Sequence, residues 1–401
     1  MYDAIVAGAG PAGNLAAFRL SAMGHRVVVL DRRHVIGDKL CTGIIGAECA
    51  RRFPPDQAHI HRETCGATFV SPSGKRYPIT RSEPQAFVID RVAYVDSVAR
   101  DAIGAGATYK LGVEVTGIDV SGQGVVVQTS GESGQERHQA QVLVIASGFG
   151  SNLLSKVGLR AGGPRDYMLG SQAEVAVEGL KDTEVYLGQE VAPGSFGWLV
   201  PNGNSRALVG VVSRGKLNGH MGRLLSSLQR DGRIGRVTKE PTRWGIPLKP
   251  LPKTYADRVL VVGDAAGLAK PTTGGGIYYA LLSGEMAAET VDDALSAEDY
   301  SARRLKRYER KWRATFGREL RVGYYARVLY EAMGDAQIER LLDRFASREV
   351  QDELLNSGDF SFDWHSRVIL KSVSHKDLRP LITSFGPIVT GLLLRLIRPG
   401  S

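Results

Sequence analysis

Three side chains in this sequence stand where they could take part in chemistry: the carboxylates of Asp31 and Asp264 and the thiol of Cys41. Asp264 and Cys41 lie close to glycines, and Asp31 follows a glycine motif earlier in the chain. Asp264 follows Gly263 at the end of the apolar run 259–262, and a glycine triplet, Gly274-Gly275-Gly276, comes ten residues later. An apolar run ending in glycine is the pattern of a strand whose C-terminal end opens onto a ligand. Backbone at 274–276 can come close to a planar or anionic group, because no side chain stands in the way. The helix that starts at Ile277 offers free N–H groups and a partial positive charge. Alone, this stretch also reads as a tight strand–helix junction.

Asp31 closes a second pattern. Gly8-Ala9-Gly10-Pro11-Ala12-Gly13 fits GxGxxG directly after an apolar strand at 2–7, and Asp31 follows the first glycine by 23 residues. The glycines serve a tight turn, close approach of backbone to a pyrophosphate, and close packing of helix on strand. A carboxylate at this distance can accept hydrogen bonds from the ribose hydroxyls of an adenosine. It also opposes a 2′-phosphate, since two anions would meet. Arg32 and Arg33 either serve the adenine end or are solvated charges. The motif fits NAD and FAD alike.

Cys41 lies in the run Leu40-Cys41-Thr42-Gly43-Ile44-Ile45, within a loop that should pass over the inner end of a bound dinucleotide. There it could donate a proton or gate the reaction centre. A free cysteine is most often a small buried hydrophobe, and on chemistry alone that reading prevails. Lys39 reads as a surface charge or as a flavin or phosphate contact.

The elements that must position these residues follow from periodicity. Strand 2–7, helix 14–23 and strand 26–30 form one βαβ unit, and strand 141–146 ends in Ser147-Gly148. Three strands therefore end in glycine clusters, at 8–13, 147–150 and 263–267. Residues 65–89 alternate around a turn at 71–74 and predict a hairpin. Asp90 caps a helix over 92–103, and Arg91 beside a helix start opposes the dipole, which suits an anionic partner. Residues 113–129 add strands. From 171 to 245, strand-like runs at 184–187, 198–201 and 207–213 between turn residues predict an antiparallel sheet. In Phe196-Gly197-Trp198-Leu199-Val200-Pro201 the two aromatics fall on one strand face. They read equally as core or as a wall for an apolar substrate, lined by Phe196, Trp198 and Leu199.

Bulk properties narrow the function classes. The chain has 401 residues, 43% hydrophobic and 23% charged, as expected of a globular protein with real cores. Its 51 Lys and Arg outnumber 42 Asp and Glu, giving +9 and suggesting an anionic partner. Cys41, Cys49 and Cys65 form no CxxC pair, which argues against a disulfide framework and against a metal site, and for a reducing cytoplasm. No secretory signal and no clean membrane span is expected; the nearest approach to one, 381–397, is broken by Gly386-Pro387 and Gly391. No helix-turn-helix, RNP or zinc signature supports nucleic-acid binding. From 299 on the chain is helical and basic. Tyr308, Trp312 and Phe316 form one stripe, read as core with a solvated basic face or as a face for an anionic membrane. Leu381, Phe385, Ile388, Leu392 and Leu396, flanked by Arg379, Arg395 and Arg398, have the spacing of an interfacial helix.

Taken together, these pieces resemble the geranylgeranyl reductase family of FAD-dependent oxidoreductases, within the wider p-hydroxybenzoate hydroxylase-like group. The resemblance rests on 40–45, on 196–201 and on Pro271-Thr272-Thr273-Gly274-Gly275-Gly276, and covers roughly residues 1–290. The chain departs from it at Phe196, where the family has tyrosine, and at Ser147-Gly148, where it has Asp-Gly. Against the family pattern, the first departure implies the loss of a hydroxyl from the substrate cavity and the second a weakened cofactor contact. The resemblance implies an α/β fold with a Rossmann-like FAD-binding domain (1–64, 90–165, 250–295), an antiparallel-sheet substrate domain (65–89, 166–249) and a C-terminal helical region (296–401). It implies FAD held by Gly8, Gly10, Ala12, Gly13, Asp31, Arg32, Lys39, Cys41, Thr42, Arg91, Gly263, Asp264, Gly274, Gly275, Gly276 and Ile277. Asp264 would bind a ribityl hydroxyl and Arg91 would lie near the cofactor's polar chain. Cys41 becomes a functional residue in saturating an isoprenoid C=C bond. The donor would be NAD(P)H or a ferredoxin-type protein, and the protein a cytoplasmic monomer, on the inner face of the membrane if the basic face docks there. A flavin monooxygenase or halogenase of the same fold, and a flavin-binding protein without turnover, are the alternatives.

Overall fold

A computed structural model describes residues 1–376 except 160–165, 204, 216, 356–357 and 359. The apolar face expected at 381–396 lies outside the described residues. Contacts divide the chain into two compact units: Met1–Lys39, Arg91–Asp166 and Pro247–Leu320 form the first, and Leu40–Asp90, Tyr167–Ile246 and the chain from Arg321 the second. The sequence-based division differs in two places. Residues 40–64 go with the second unit, and the C-terminal helices are shared between the two.

The first unit is a doubly wound sheet. Its parallel strands run in the order Val259–Val261, Gly134–Ile145, Tyr2–Ala7, Val27–Asp31, Thr108–Leu111. Val, Ile, Leu and Ala fill the central strands without alternation because both faces are covered. Strand order reverses between Tyr2–Ala7 and Gly134–Ile145, and ligands of such sheets bind at that switch point, beyond the carboxyl ends of the strands. The strand expected at 141–146 is the end of a longer one, whose first half pairs antiparallel with Gly124–Gly131.

Helix Pro11–Ala22 lies against helix Ile277–Ser296 with almost no space between backbones. A Cβ on Gly284 would come 2.3 Å from Ala12 O. Behind them, the Tyr308–Trp312–Phe316 stripe of helix Ala302–Glu331 is fully buried, with Tyr279 stacked on Phe316 at 4.9 Å. The stripe is therefore core. Much of the basic face is neutralised within the unit: Arg304 and Arg307 pair with Asp293, Lys311 with Glu289, and Arg313 with Glu309.

The second unit is built on a sheet ordered Val237–Pro247, Tyr167–Ala176, Arg206–Ser213, Phe196–Pro201, Thr183–Leu187, Gly66–Val70, Arg76–Thr80. Period-2 alternation splits it into two faces. Ala173, Val175, Leu199, Val209 and Val211 point to one face and pack with Leu217, Met221, Leu224 and Leu228 of helix Leu217–Arg230. On the other face, Phe69, Tyr77 and Leu187 pack with Val322, Leu329 and Met333 and with helices Asp335–Phe345 and Ser366–Ser374. The hairpin expected over 65–89 forms as Gly66–Val70 and Arg76–Thr80, but Ala86–Ile89 leaves it for a small sheet with Ile44–Gly46 and Ile60–Thr64.

Helix Ala47–Arg52, just after the cysteine loop, is capped from far along the chain. The buried Asp363 carboxylate accepts from the amides of Glu48 (3.0 Å) and Cys49 (3.1 Å), and Trp364 Nε1 donates to Glu48. A Cβ on Gly46 would stand 2.2 Å from Asp363 Oδ2, so this residue must be glycine for the cap to close. Among the described residues no helix is long and apolar enough to cross a membrane.

Candidate cofactor and substrate sites

In the first unit the nucleotide motif has the geometry its spacing demands. Gly8 has φ +122°, and a Cβ there would lie 2.4 Å from Ala146 O. At Gly13 a Cβ would lie 2.0 Å from Gly8 O, whereas at Gly10 it would meet nothing within 4 Å. Strand end and helix start are thus pressed together, while the middle glycine faces open space. Asp31 joins the two strand ends: Oδ2 accepts from Ala9 N at 2.6 Å and Oδ1 from Arg33 N at 2.8 Å. Arg32 is exposed.

The second glycine–aspartate end converges on the same edge of the sheet. Asp264 opens the short 3-10 turn Gly263–Ala266, and a Cβ on Gly276 would stand 2.9 Å from its Oδ1. The carboxylate therefore sits at the start of helix Ile277–Ser296, where the dipole favours an anion. Gly274, with φ +75°, turns the chain back so that its amide donates to Lys270 O at 2.8 Å. Ile277 is buried at the first helical position. Lys39 Nζ is 2.6 Å from Asp264 Oδ2, so this lysine is not a free surface charge. Arg91 is buried, and its Nη1 donates to Gly37 O and to Lys39 O (2.7 Å). Its guanidinium thus fixes the loop that carries Lys39, and its Nε is buried with no hydrogen-bond partner among the described residues. These glycine cradles, an open Gly10 and a carboxylate at a helix start fit a dinucleotide carrying a polyhydroxyl chain.

In the second unit the loop after Lys39 hangs on the sheet. Gln172 of strand Tyr167–Ala176 is 3% exposed; its Oε1 accepts from Thr42 Oγ1 at 2.9 Å and its Nε2 donates to Cys41 O at 3.4 Å. Cys41 Sγ accepts from Gly43 N at 3.5 Å. Cys41 is half-buried; the small buried hydrophobe among the cysteines is Cys49, at 0% exposure.

Gln172 is in register with Gly210, and Gly210 with Trp198, so the three share a sheet face. The Trp198 ring covers Gly210, where a Cβ would come within 2.0 Å of it, and Trp244 covers Gly170 at 2.6 Å. Trp198 packs against Phe196 (6.0 Å between ring centres) and Trp244 (6.2 Å), and its indole N–H is buried without a partner among the described residues. Leu199 corrects the expected trio. It points to the opposite face, fully buried in the core beneath helix Leu217–Arg230, as the period of 2 requires.

Sequence reading missed Gln172 and Trp244. A lone glutamine in a strand carries no motif, and 237–247 is too polar a run to read as a strand. The pairing of Gly170 and Gly210 with tryptophans is visible only in three dimensions.

The fold and the two glycine–aspartate strand ends are those of an FAD-dependent oxidoreductase. Residues 46–216 match the FAD dependent oxidoreductase family model, and residues 6–72 match the NAD(P)-binding Rossmann-like domain. The chain is 31% identical to a digeranylgeranylglycerophospholipid reductase of Methanocaldococcus jannaschii, over 86% of this chain and 90% of that protein. It is 30% identical to the one of Methanothrix thermoacetophila, over 87% and 92%. A geranylgeranyl bacteriochlorophyll reductase-like protein from Thermoplasma acidophilum has the same fold, with TM-score 0.85 and 23% identity over 98% of this chain and 99% of that one. A p-nitrophenol 4-monooxygenase from Pseudomonas putida shares the fold more loosely, with TM-score 0.73 and 18% identity over 89% and 97%. The chain belongs to the geranylgeranyl reductase family of FAD-dependent oxidoreductases, and its cofactor is FAD.

Proposed function

We propose that this protein is an FAD-dependent reductase that saturates the C=C bonds of geranylgeranyl chains carried on a glycerophospholipid. The observation that carries the reading is the cysteine peptide: Cys41 and Thr42 hang from Gln172 on the sheet face that bears Trp198 and Phe196. An apolar chain needs an apolar, aromatic surface, and its reduction needs one positioned proton donor.

Bound FAD, when reduced, supplies the hydride for each double bond. The chain's own residues supply the rest. Gly8, Gly10, Ala12 and Gly13 let backbone meet the pyrophosphate, Asp31 takes the adenosine ribose, and Asp264 with Gly263 and Gly274–Gly276 takes the ribityl end, beside Ile277. Lys39 and Arg91 hold the loop against that end, and Arg32 serves the adenine side. Only Leu40 separates Lys39 from Cys41, which keeps their Cα atoms within about 7 Å.

The sulfur of Cys41 accepts the Gly43 amide, so its S–H proton is directed elsewhere and is available to the alkene carbon. Each cycle adds one hydride and one proton to the double bond, and the thiolate regains its proton from solvent. Phe196, Trp198 and Trp244 line the apolar wall. The electrons come from NAD(P)H or a ferredoxin-type protein. The protein works as a cytoplasmic monomer and meets its lipid at an anionic membrane surface, with no part for nucleic acid.

The test is product mass after incubation of the reduced holoprotein with a digeranylgeranyl glycerophospholipid. Each saturated bond adds two hydrogens. A product that has gained oxygen or halogen would overturn the reading in favour of the monooxygenases and halogenases that share the fold.

A further inference from the structure

The second unit holds a glutamine in a place where glutamine is costly. Gln172 is 97% buried by its 3% exposure, and a carboxamide is buried stably only when its donor and acceptor are both used. Here they are used on one dipeptide, Cys41–Thr42. Oε1 takes the Thr42 hydroxyl at 2.9 Å, and Nε2 gives to the Cys41 carbonyl at 3.4 Å. The orientation of the carboxamide follows from the partners: a carbonyl can only accept, so the NH2 must face Cys41, which leaves the oxygen for the hydroxyl.

Both bonds bracket the Cys41–Thr42 peptide, and the next residue closes the turn. Gly43 has φ +72°, and its amide is the group that reaches back to Cys41 Sγ. Rotation of the Cys41–Thr42 peptide would break the bond from Gln172 to Cys41 O, while the Thr42 hydroxyl and the Gly43 amide tie down the residues on either side of it. The base of this clamp is rigid. Gln172 lies in the ladder between Arg206–Ser213 and Val237–Pro247, and its register partner Gly210 is roofed by the Trp198 ring. Past Gly43, the Asp363 cap on helix Ala47–Arg52 holds the segment's other end.

We infer that Gln172 is the positioning residue of the reductase: it sets the direction of the Cys41 thiol by clamping the peptide that follows it. The inference rests on the function proposed above only in the purpose given to the thiol; the clamp itself is measurable without any substrate. Ionised glutamate at this position would keep the acceptor for Thr42 but lose the donor to Cys41 O and set a negative charge against the cysteine's own carbonyl. Leucine would lose both bonds at similar volume.

The experiment uses the FAD-loaded full chain in a Cys65→Ser background, since Cys49 is fully buried and Cys65 is partly exposed. The rate of iodoacetamide alkylation of Cys41 is followed against pH for Gln172, Gln172→Glu and Gln172→Leu, alongside the flavin spectrum. The expected result is an alkylation rate in Gln172→Leu that differs from the parent by about tenfold. In Gln172→Glu the pH profile should move upward, because the added charge opposes the thiolate. On the lipid, kcat should fall by roughly 10- to 100-fold with KM little changed, as for a misplaced acid.

If Gln172→Leu does not fold, Thr42→Val removes the same hydroxyl bond from the other side, and Thr42→Ser should restore the parent profile. Unchanged alkylation profiles in folded Gln172→Leu and Gln172→Glu, or in Thr42→Val, would overturn the inference. Altered profiles in a protein that reduces no prenyl lipid would uphold the clamp and sink the proposed substrate instead.

Discussion

The cofactor half and the cysteine half of this protein are built from opposite materials. In the first unit, the geometry depends on side chains that are missing: Gly8, Gly13, Gly276 and Gly284 leave room for backbone to meet backbone or carboxylate. In the second, it depends on side chains hung on one another: Asp363 on a helix end, Gln172 on Cys41 and Thr42, and Trp198 on Gly210. Backbone contacts cannot yield, whereas a side-chain network can lose a member and relax. The first half should therefore fail abruptly on substitution and the second by degrees.

The sharpest test of that contrast is Gly13→Val. With a Cβ 2.0 Å from Gly8 O there is no rotamer that escapes, and a loss of roughly 3 kcal/mol of stability with no bound FAD is expected. A yellow, folded Gly13→Val protein would show that the glycine cradle is more pliable than its geometry implies.

Cys41→Ala should act the other way, leaving full flavin absorbance while turnover drops by about 100-fold. Bleaching of the flavin in that variant would instead place the thiol at the cofactor. Asp264→Ala removes the carboxylate that faces Gly276 and Lys39. FAD affinity, read by quenching of flavin fluorescence, should weaken by about 10- to 100-fold, and full occupancy would remove the role given to Asp264.

A gentler probe is Gly210→Ala. The new methyl displaces the Trp198 ring, at a cost of about 1–3 kcal/mol, and KM for the lipid should rise more than kcat falls.

The smallest effect is expected within the first unit, on strand Gly134–Ile145 away from its glycine end. His138 is buried beside Thr129, and burial, with Lys110 next, pushes its pKa below the usual histidine range. The unfolded chain then binds a proton that the folded one refuses, so stability falls as pH drops below about 6.5. A thermal melt series should show this slope flattened in His138→Gln, with FAD binding untouched; an unchanged slope would assign it to other groups.

The same contrast explains what the sequence revealed. GxGxxG, Asp31 and the glycines around Asp264 are legible because backbone geometry dictates residue type at fixed spacing. The switch-point sheet follows from the runs that precede them. Phe196 and Trp198 could be placed on one strand face by alternation, and the same alternation, followed one residue further, sets Leu199 on the other. The lysine at 39 and the arginine at 91 were legible as candidates but not as parts of one loop brace, since an ion pair 225 residues apart leaves no local trace. Gln172 and Trp244 were not legible at all. Their roles come from register across strands, which a single chain does not spell out.

The Asp363 cap carries a consequence for how the protein is made. The carboxylate that closes helix Ala47–Arg52 lies 315 residues after the Glu48 amide it binds. During synthesis, the helix that follows the cysteine loop cannot be capped until Asp363 has left the ribosome. A chain cut or still growing before Asp363 can therefore wind its nucleotide fold early while helix Ala47–Arg52 waits uncapped, and a carboxylate made late in synthesis is the latch that closes it.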